Sequence, residues 1–175
     1  MTFIKTVPDH EAEGAIKRSY DTSREMYGHV YETTRMLSLW PEALTVEARR
    51  YQTLMLDETT LTHAEKEMIA TAVSAKNHCE YCYTHHMASM IEAGIEAGLA
   101  KAIRDDYTTA EIDSKHRAMI EFATRQRPDQ ASQDDVDHLR GCGWSDRQIL
   151  EIVMIAALFE DYNTRVNLLG LEFEE

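Results

Sequence analysis

Apolar residues along this chain recur every three to four positions, and stretches of strict one-by-one alternation are absent. A 3.6-residue period predicts amphipathic helices, and the missing alternation argues against strands. The pattern predicts a first helix from about Asp9, after Pro8, to Tyr27, with Gly28 as its stop. Residues 30 to 39 read as helical again and end before Pro41. A further helix should cover 42 to 56, where Leu44, Ala48, Tyr51 and Leu54/Met55 share one face.

Two helix starts carry stronger local signals. Thr62-His-Ala-Glu65 and Ser145-Asp-Arg-Gln148 both fit the capping-box pattern, and each opens an apolar-periodic run. Gly94 and Gly170 are natural C-terminal stops. Helices near 95 to 105, 113 to 126 and 132 to 140 lie between, interrupted by the Tyr107-Thr-Thr turn, by Pro128 and by Gly141-Cys142-Gly143. Aligning Thr62 with Ser145 puts Ile69, Val73 and Ala75 on Ile152, Ala156 and Leu158. Both segments read as a capped helix, a short polar break and a second helical stretch, a possible degenerate repeat of helix pairs. The second copy has Tyr162, Arg165 and Leu169 where the first has Cys79, Cys82 and His86. The fold expected is all-α.

Composition narrows the function classes. A length of 175 residues with 43% hydrophobic content fits one domain spanning 1–175. The formal net charge of −13 repels phosphate backbones and argues against nucleic-acid binding. The apolar run from Ile149 to Phe159 is broken by Glu151, far short of the roughly 18 apolar residues a membrane span needs. The opening MTFIKTVPDHE lacks the features of a signal peptide, so a cytoplasmic location is expected. Three cysteines, an odd count, do not read as a secreted disulfide framework. In a reducing compartment a Cys-x-x-Cys pair is more often redox or metal chemistry than a staple.

The chemistry concentrates between residues 67 and 86, EMIATAVSAKNHCEYCYTHH. Cys79, Cys82 and His86 stand at i, i+3 and i+7, one sector of a helix face. Asn77-His78 reads as a break, which puts the cysteines in the first turn of a helix running to Gly94. There the free N–H groups and the dipole favour a thiolate. His86, one turn past Cys82, can exchange its proton. A thiol three residues away can close a disulfide once its neighbour is oxidised to sulfenic acid. Glu67, on the preceding helix, could orient His86 or relay a proton through water, though spacing alone does not separate it from Glu65.

Glu67, eleven residues, then Cys79-x-x-Cys82-x-x-x-His86 resembles the signature of the alkyl hydroperoxidase D-like (AhpD-like) branch of the carboxymuconolactone decarboxylase superfamily. LSLWPEAL at 37–44 and LTHAEKEMIATAVSAKNHCEYC at 61–82 are similar to the family's N-terminal part. DVDHLRGCGWSDRQILEIV at 135–153 and NTRVNLLGLEFEE at 163–175 are similar to its peroxidase-related subgroup. The resemblance implies an all-α, homo-oligomeric protein that reduces a small hydroperoxide and is regenerated by a thiol or dithiol reductant, with no cofactor. Carried onto this chain, it implies that Cys82 attacks the peroxide, Cys79 resolves, His86 is the base near Cys82, and Glu67 ends the relay. Tyr81 stands where well-studied members carry a histidine.

Rival readings remain open. His78, His85 and His86 beside the cysteines belong to the vocabulary of zinc, but a second ligand pair is missing and His85 falls off the Cys79/Cys82/His86 face. A non-catalytic redox-sensing oligomer uses the same disulfide as a switch. A lactone decarboxylase is disfavoured by the cysteine pair that such enzymes lack. His78 and His85 read as surface residues, Tyr81 and Tyr83 as packing residues, and Cys142 as a bystander. Asp161, Asn163 and Arg165 read as a solvated helix face or the polar edge of a subunit contact.

Overall fold

Capped, apolar-periodic segments become helices wherever their buried face finds a partner, and here every regular element is helical. The computed structural model describes residues 2–125 and 131–171, and within them no strand occurs. The predicted first helix divides. Asp9–Glu11 form a single 3-10 turn, Ala12 and Glu13 are extended, and α1 runs Gly14–Tyr27. The division serves packing, since Asp9 leaves the helix line to pair with Arg24, at 2.7 Å, and with Arg35. Gly28, left-handed at φ +79, ends α1 as expected.

The 30–39 segment is a short α2, Glu32–Met36, followed by a 3-10 turn at Leu37–Leu39. α3, Pro41–Tyr51, starts on a proline and then widens into a π turn over Gln52–Leu56. The remaining helices are α4 (His63–Lys76), α5 (Glu80–Glu92), α6 (Ala97–Asp106), α7 (Ser114–Ala123), α8 (Gln133–Gly141) and α9 (Asp146–Leu169). Both capping boxes form, Thr62 with Glu65 and Ser145 with Gln148. α7 stops before the expected 126, and Gln126 and Pro128 lie outside the described residues.

α4 is the centre of the molecule. Ten consecutive residues, Glu65 to Ser74, are buried, and α5, α6, α7 and α9 pack around them. A helix covered on all sides is a core helix. It carries Glu65, Lys66 and Glu67 inside only because each has a partner. Glu65 closes its capping box, Lys66 Nζ donates to the Asp57 carbonyl at 2.7 Å, and Glu67 meets His86.

The expected repeat holds for its first half and fails for its second. α4 ends at Asn77-His78, and the chain turns into α5. α9 continues without a break through the aligned Glu160-Asp161 to Leu169. His78 adopts a left-handed conformation, φ +54, which Asn and His tolerate better than most residues. Glu160 and Asp161 stay within the helix, and their neighbourhood provides no such stop.

Candidate active site

The reversal between α4 and α5 builds the centre. Asn77 caps α4, its N–H donating to Val73 O at 3.0 Å. Left-handed His78 turns the chain, and Cys79 N–H returns to Ser74 O at 2.9 Å. Cys79 thereby becomes the N-cap of α5, with Cys82 one turn later inside the helix. The sulfurs face each other at 2.7 Å as free thiols. Cys79 is 0% exposed and Cys82 4%.

The pair holds one charge more readily than two. A hydrogen bond from Cys82 pulls the Cys79 thiol below its ordinary pKa, aided by the Cys82 backbone N–H and the Asn163 amide. The same bond and burial push the Cys82 thiol far up. The first-turn position thus favours a thiolate, but on Cys79 rather than on the sulfur expected to attack. Only Cys82 reaches the neighbouring cavity.

Glu67 and His86 meet directly. Glu67 Oε2 lies 2.7 Å from His86 Nδ1, and the carboxylate is 2% exposed. Of the two roles the sequence left open for Glu67, the direct bond fits orienting His86 rather than relaying through water, and it arises because α4 and α5 pack side by side. The imidazole edge rests on Phe159 at 4.5 Å between ring centres. With Nδ1 committed to the carboxylate, Nε2 is the nitrogen left for proton exchange.

α9 contributes residues that the spacing did not single out. Asn163, expected on a solvated or subunit-facing edge, is 1% exposed. Its Nδ2 donates to Ser74 Oγ at 2.9 Å, and its Oδ1 accepts from Asn77 Nδ2 at 3.1 Å. Arg165 donates to Glu47 at 3.1 Å and Asp161 at 2.9 Å, stacks over Tyr162, and favours the charged form of Cys82. These positions become visible only when α9 crosses the α4–α5 turn.

The other residues singled out in the sequence divide. His78 is exposed, as expected. His85 is not a surface residue. It is half-buried, makes edge contacts with the rings of Tyr31 and Tyr81, and burial lowers its pKa to about 4. Tyr81 is a buried packing residue, and burial raises its pKa against the opposing pull of Thr33 and Glu32 on α2. Cys142 lies away from the pair, 3.8 Å from His138 Nε2. Among the described residues, no three His, Cys, Asp or Glu side chains gather into a metal-ligating group.

A cavity of about 600 Å³ opens on Cys82, His86 and Glu67. Its walls are rich in rings: Tyr27, Tyr31, Tyr51, Phe159 and Tyr162. α1 and α2 form its roof, so the centre is reached through a shaped, largely apolar chamber. Nothing in the hydropathy pattern announced this chamber, because its lining comes from six helices and the π turn.

Known proteins share this arrangement of helices. The model of the carboxymuconolactone decarboxylase family matches residues 41–125. No curated protein sequence matches the chain significantly. The alkylhydroperoxidase AhpD core of a peroxidase-related protein from Ralstonia eutropha JMP134 superposes with a TM-score of 0.93 at 25% identity. That match covers 99% of this chain and 93% of the other. A peroxidase-related protein from Silicibacter sp. TM1040 gives 0.85 at 26% identity, covering 97% and 87%. A cysteine-to-alanine variant of the debrominase Bmp8, in complex with 2,3,4-tribromopyrrole, shares the fold at a TM-score of 0.82. Its identity is 15%, and the match covers 99% and 92%.

Proposed function

This chain belongs to the AhpD-like branch of the carboxymuconolactone decarboxylase superfamily, and from that premise we propose that it is a thiol-dependent hydroperoxide reductase. The observation that carries the reading is the facing sulfur pair, Cys82 opening on the cavity beside a buried His86–Glu67 dyad. Cys82 attacks, Cys79 resolves, His86 moves the proton and Glu67 holds His86.

Once the pair gives up one proton, the charge settles first on Cys79, the sulfur whose thiol is pulled down while that of Cys82 is pushed up. The proton left on Cys82 crosses the short gap to Cys79, and the Cys82 thiolate attacks the terminal peroxide oxygen. An S–O bond forms and the O–O bond breaks. The alkoxide leaves as an alcohol with a proton from His86, which draws it from Cys79. The Cys79 thiolate then attacks the Cys82 sulfenic acid. An S–S bond forms, the S–O bond breaks, and hydroxide leaves as water with a proton taken from solvent along the dyad. Two electrons pass from the sulfurs to the peroxide oxygens, and an external thiol or dithiol protein reduces the disulfide.

A cavity of this size and lining favours an organic hydroperoxide with an apolar, ring-sized tail, because hydrogen peroxide leaves most of the walls untouched. The same rings favour a second reading, reductive dehalogenation of an aromatic halide. There the two thiols also give up two electrons: the carbon–halogen bond breaks, a thiol proton takes the halogen's place, the S–S bond forms, and halide leaves with the second proton. The assembly is a homo-oligomer. Leu150, Val153 and Met154 form an exposed apolar strip on α9 that suits a subunit contact.

The test is turnover of cumene hydroperoxide and of hydrogen peroxide with excess dithiol, run beside bromide release from 2,3,4-tribromopyrrole. Faster turnover of the organic peroxide supports the first reading. Bromide release without peroxide consumption replaces it with the second.

A further inference from the structure

Asn163 is a buried carboxamide with its orientation fixed from both ends. A buried amide is costly unless its donors and acceptor are met. Its oxygen accepts from Asn77 Nδ2 at 3.1 Å, and one of its two N–H groups donates to Ser74 Oγ at 2.9 Å. Those partners belong to the turn that carries the thiols, since Ser74 O also takes the Cys79 N–H. Asn167, one helical turn further along α9, fastens the same turn by donating to Asn77 O at 3.0 Å. The amide is thus indexed to the sulfur pair, with its second N–H remaining. The turn it grips carries Cys79, whose sulfur faces that of Cys82 at 2.7 Å, and the amide favours the charged form of both thiols.

We propose that Asn163 is a catalytic residue of the thiol pair, its second amide N–H donating to whichever sulfur carries the negative charge. This rests on the thiol-redox reading above. The amide forms no covalent bond and gives up no proton. It holds the Cys82 thiolate as it attacks, then the Cys79 thiolate as it resolves. When the external thiol reduces the disulfide, it holds the sulfur that leaves. A neutral donor suits this task. A carboxylate there would repel the thiolate, and an ammonium would hold the charge too firmly to let it move between sulfurs.

The test reads the thiols directly. In a Cys142→Ser background, the reduced protein is titrated by thiolate ultraviolet absorbance and by alkylation rate against pH. Asn163→Ala should raise the first thiol pKa of the pair by about one to two units, the worth of one hydrogen bond to a charged group. It should also make the disulfide harder to reduce. Asn163→Asp keeps the shape and still accepts from Asn77, so it guards against loss of fold, and it should raise that pKa further. A first thiol pKa unchanged in either folded variant overturns the assignment. Peroxide turnover in the same samples separates the two ideas. A wild type that consumes no peroxide, with thiol titrations that shift as expected, refutes the reductase reading and keeps Asn163. Normal turnover with unshifted titrations refutes Asn163 alone.

Discussion

Glu67 and His86 lie 19 positions apart and meet through one 2.7 Å bond between a nearly inaccessible carboxylate and an imidazole Nδ1. A buried carboxylate is tolerated when it is hydrogen-bonded, and this one fixes which imidazole nitrogen is free.

On the proposed chemistry, that contact should make Glu67 a strong determinant of rate. Glu67→Gln should slow sulfenic-acid formation by roughly 10- to 100-fold, the usual cost of losing the group that orients a working histidine. His86→Ala should slow it by about 10²–10⁴-fold. Single-turnover kinetics with a sulfenic-acid probe measure both, and a Glu67→Gln rate equal to wild type would refute the direct role.

The two thiols should separate by product. Cys82→Ser is expected to abolish peroxide consumption. Cys79→Ser should still yield one trapped sulfenic acid per chain and then stop. Cys142→Ser should leave turnover unchanged, since that sulfur lies away from the pair. Mass spectrometry of probe-labelled peptides gives the site. Labelling of Cys79 in Cys82→Ser at the wild-type rate would reverse the assignment.

Acid should weaken the fold through His85. Burial holds its pKa near 4, whereas the unfolded chain titrates at 6.5. The native state excludes a proton that the unfolded state accepts, so this contribution is complete above about 6.5 and fades as pH falls toward 4. Thermal melts should show the loss across that window, and His85→Phe should flatten it. An equally steep acid slope in the variant would place the cause elsewhere.

Self-association should depend on the exposed strip of α9. Wild-type protein at micromolar concentration should sediment above its 20.1 kDa chain mass. Met154→Glu together with Leu150→Glu should shift it toward the single chain while the helical content holds. Wild type sedimenting as a single chain would remove the homo-oligomer from the proposal.

Local signals carried much of the fold. The boxes at Thr62 and Ser145 mark where α4 and α9 begin, and Gly28 and Gly170 mark where α1 and α9 end. The spacing of Glu67, Cys79, Cys82 and His86 identifies four residues that the structure brings to one place. What remained hidden depends on tertiary crossings. Asn163 and Arg165 look like a solvated face until α9 lies across the turn. His85 falls off the helix face of His86, but the roof formed by α1 and α2 folds over both. The π turn at Gln52–Leu56 has no side-chain signature comparable to a cap, and the separation of Asp9 from α1 follows from ion pairs with distant arginines.

The roof of the cavity and the sulfur pair come from different stretches of chain. Tyr27, Tyr31 and Leu37 precede residue 41, whereas Glu67, Cys79, Cys82 and His86 all fall inside the family match. Part of the cavity wall and the proposed reacting groups therefore lie on separate stretches of chain. Substitutions in the first forty residues can reshape the roof without altering the residues of the α4–α5 turn.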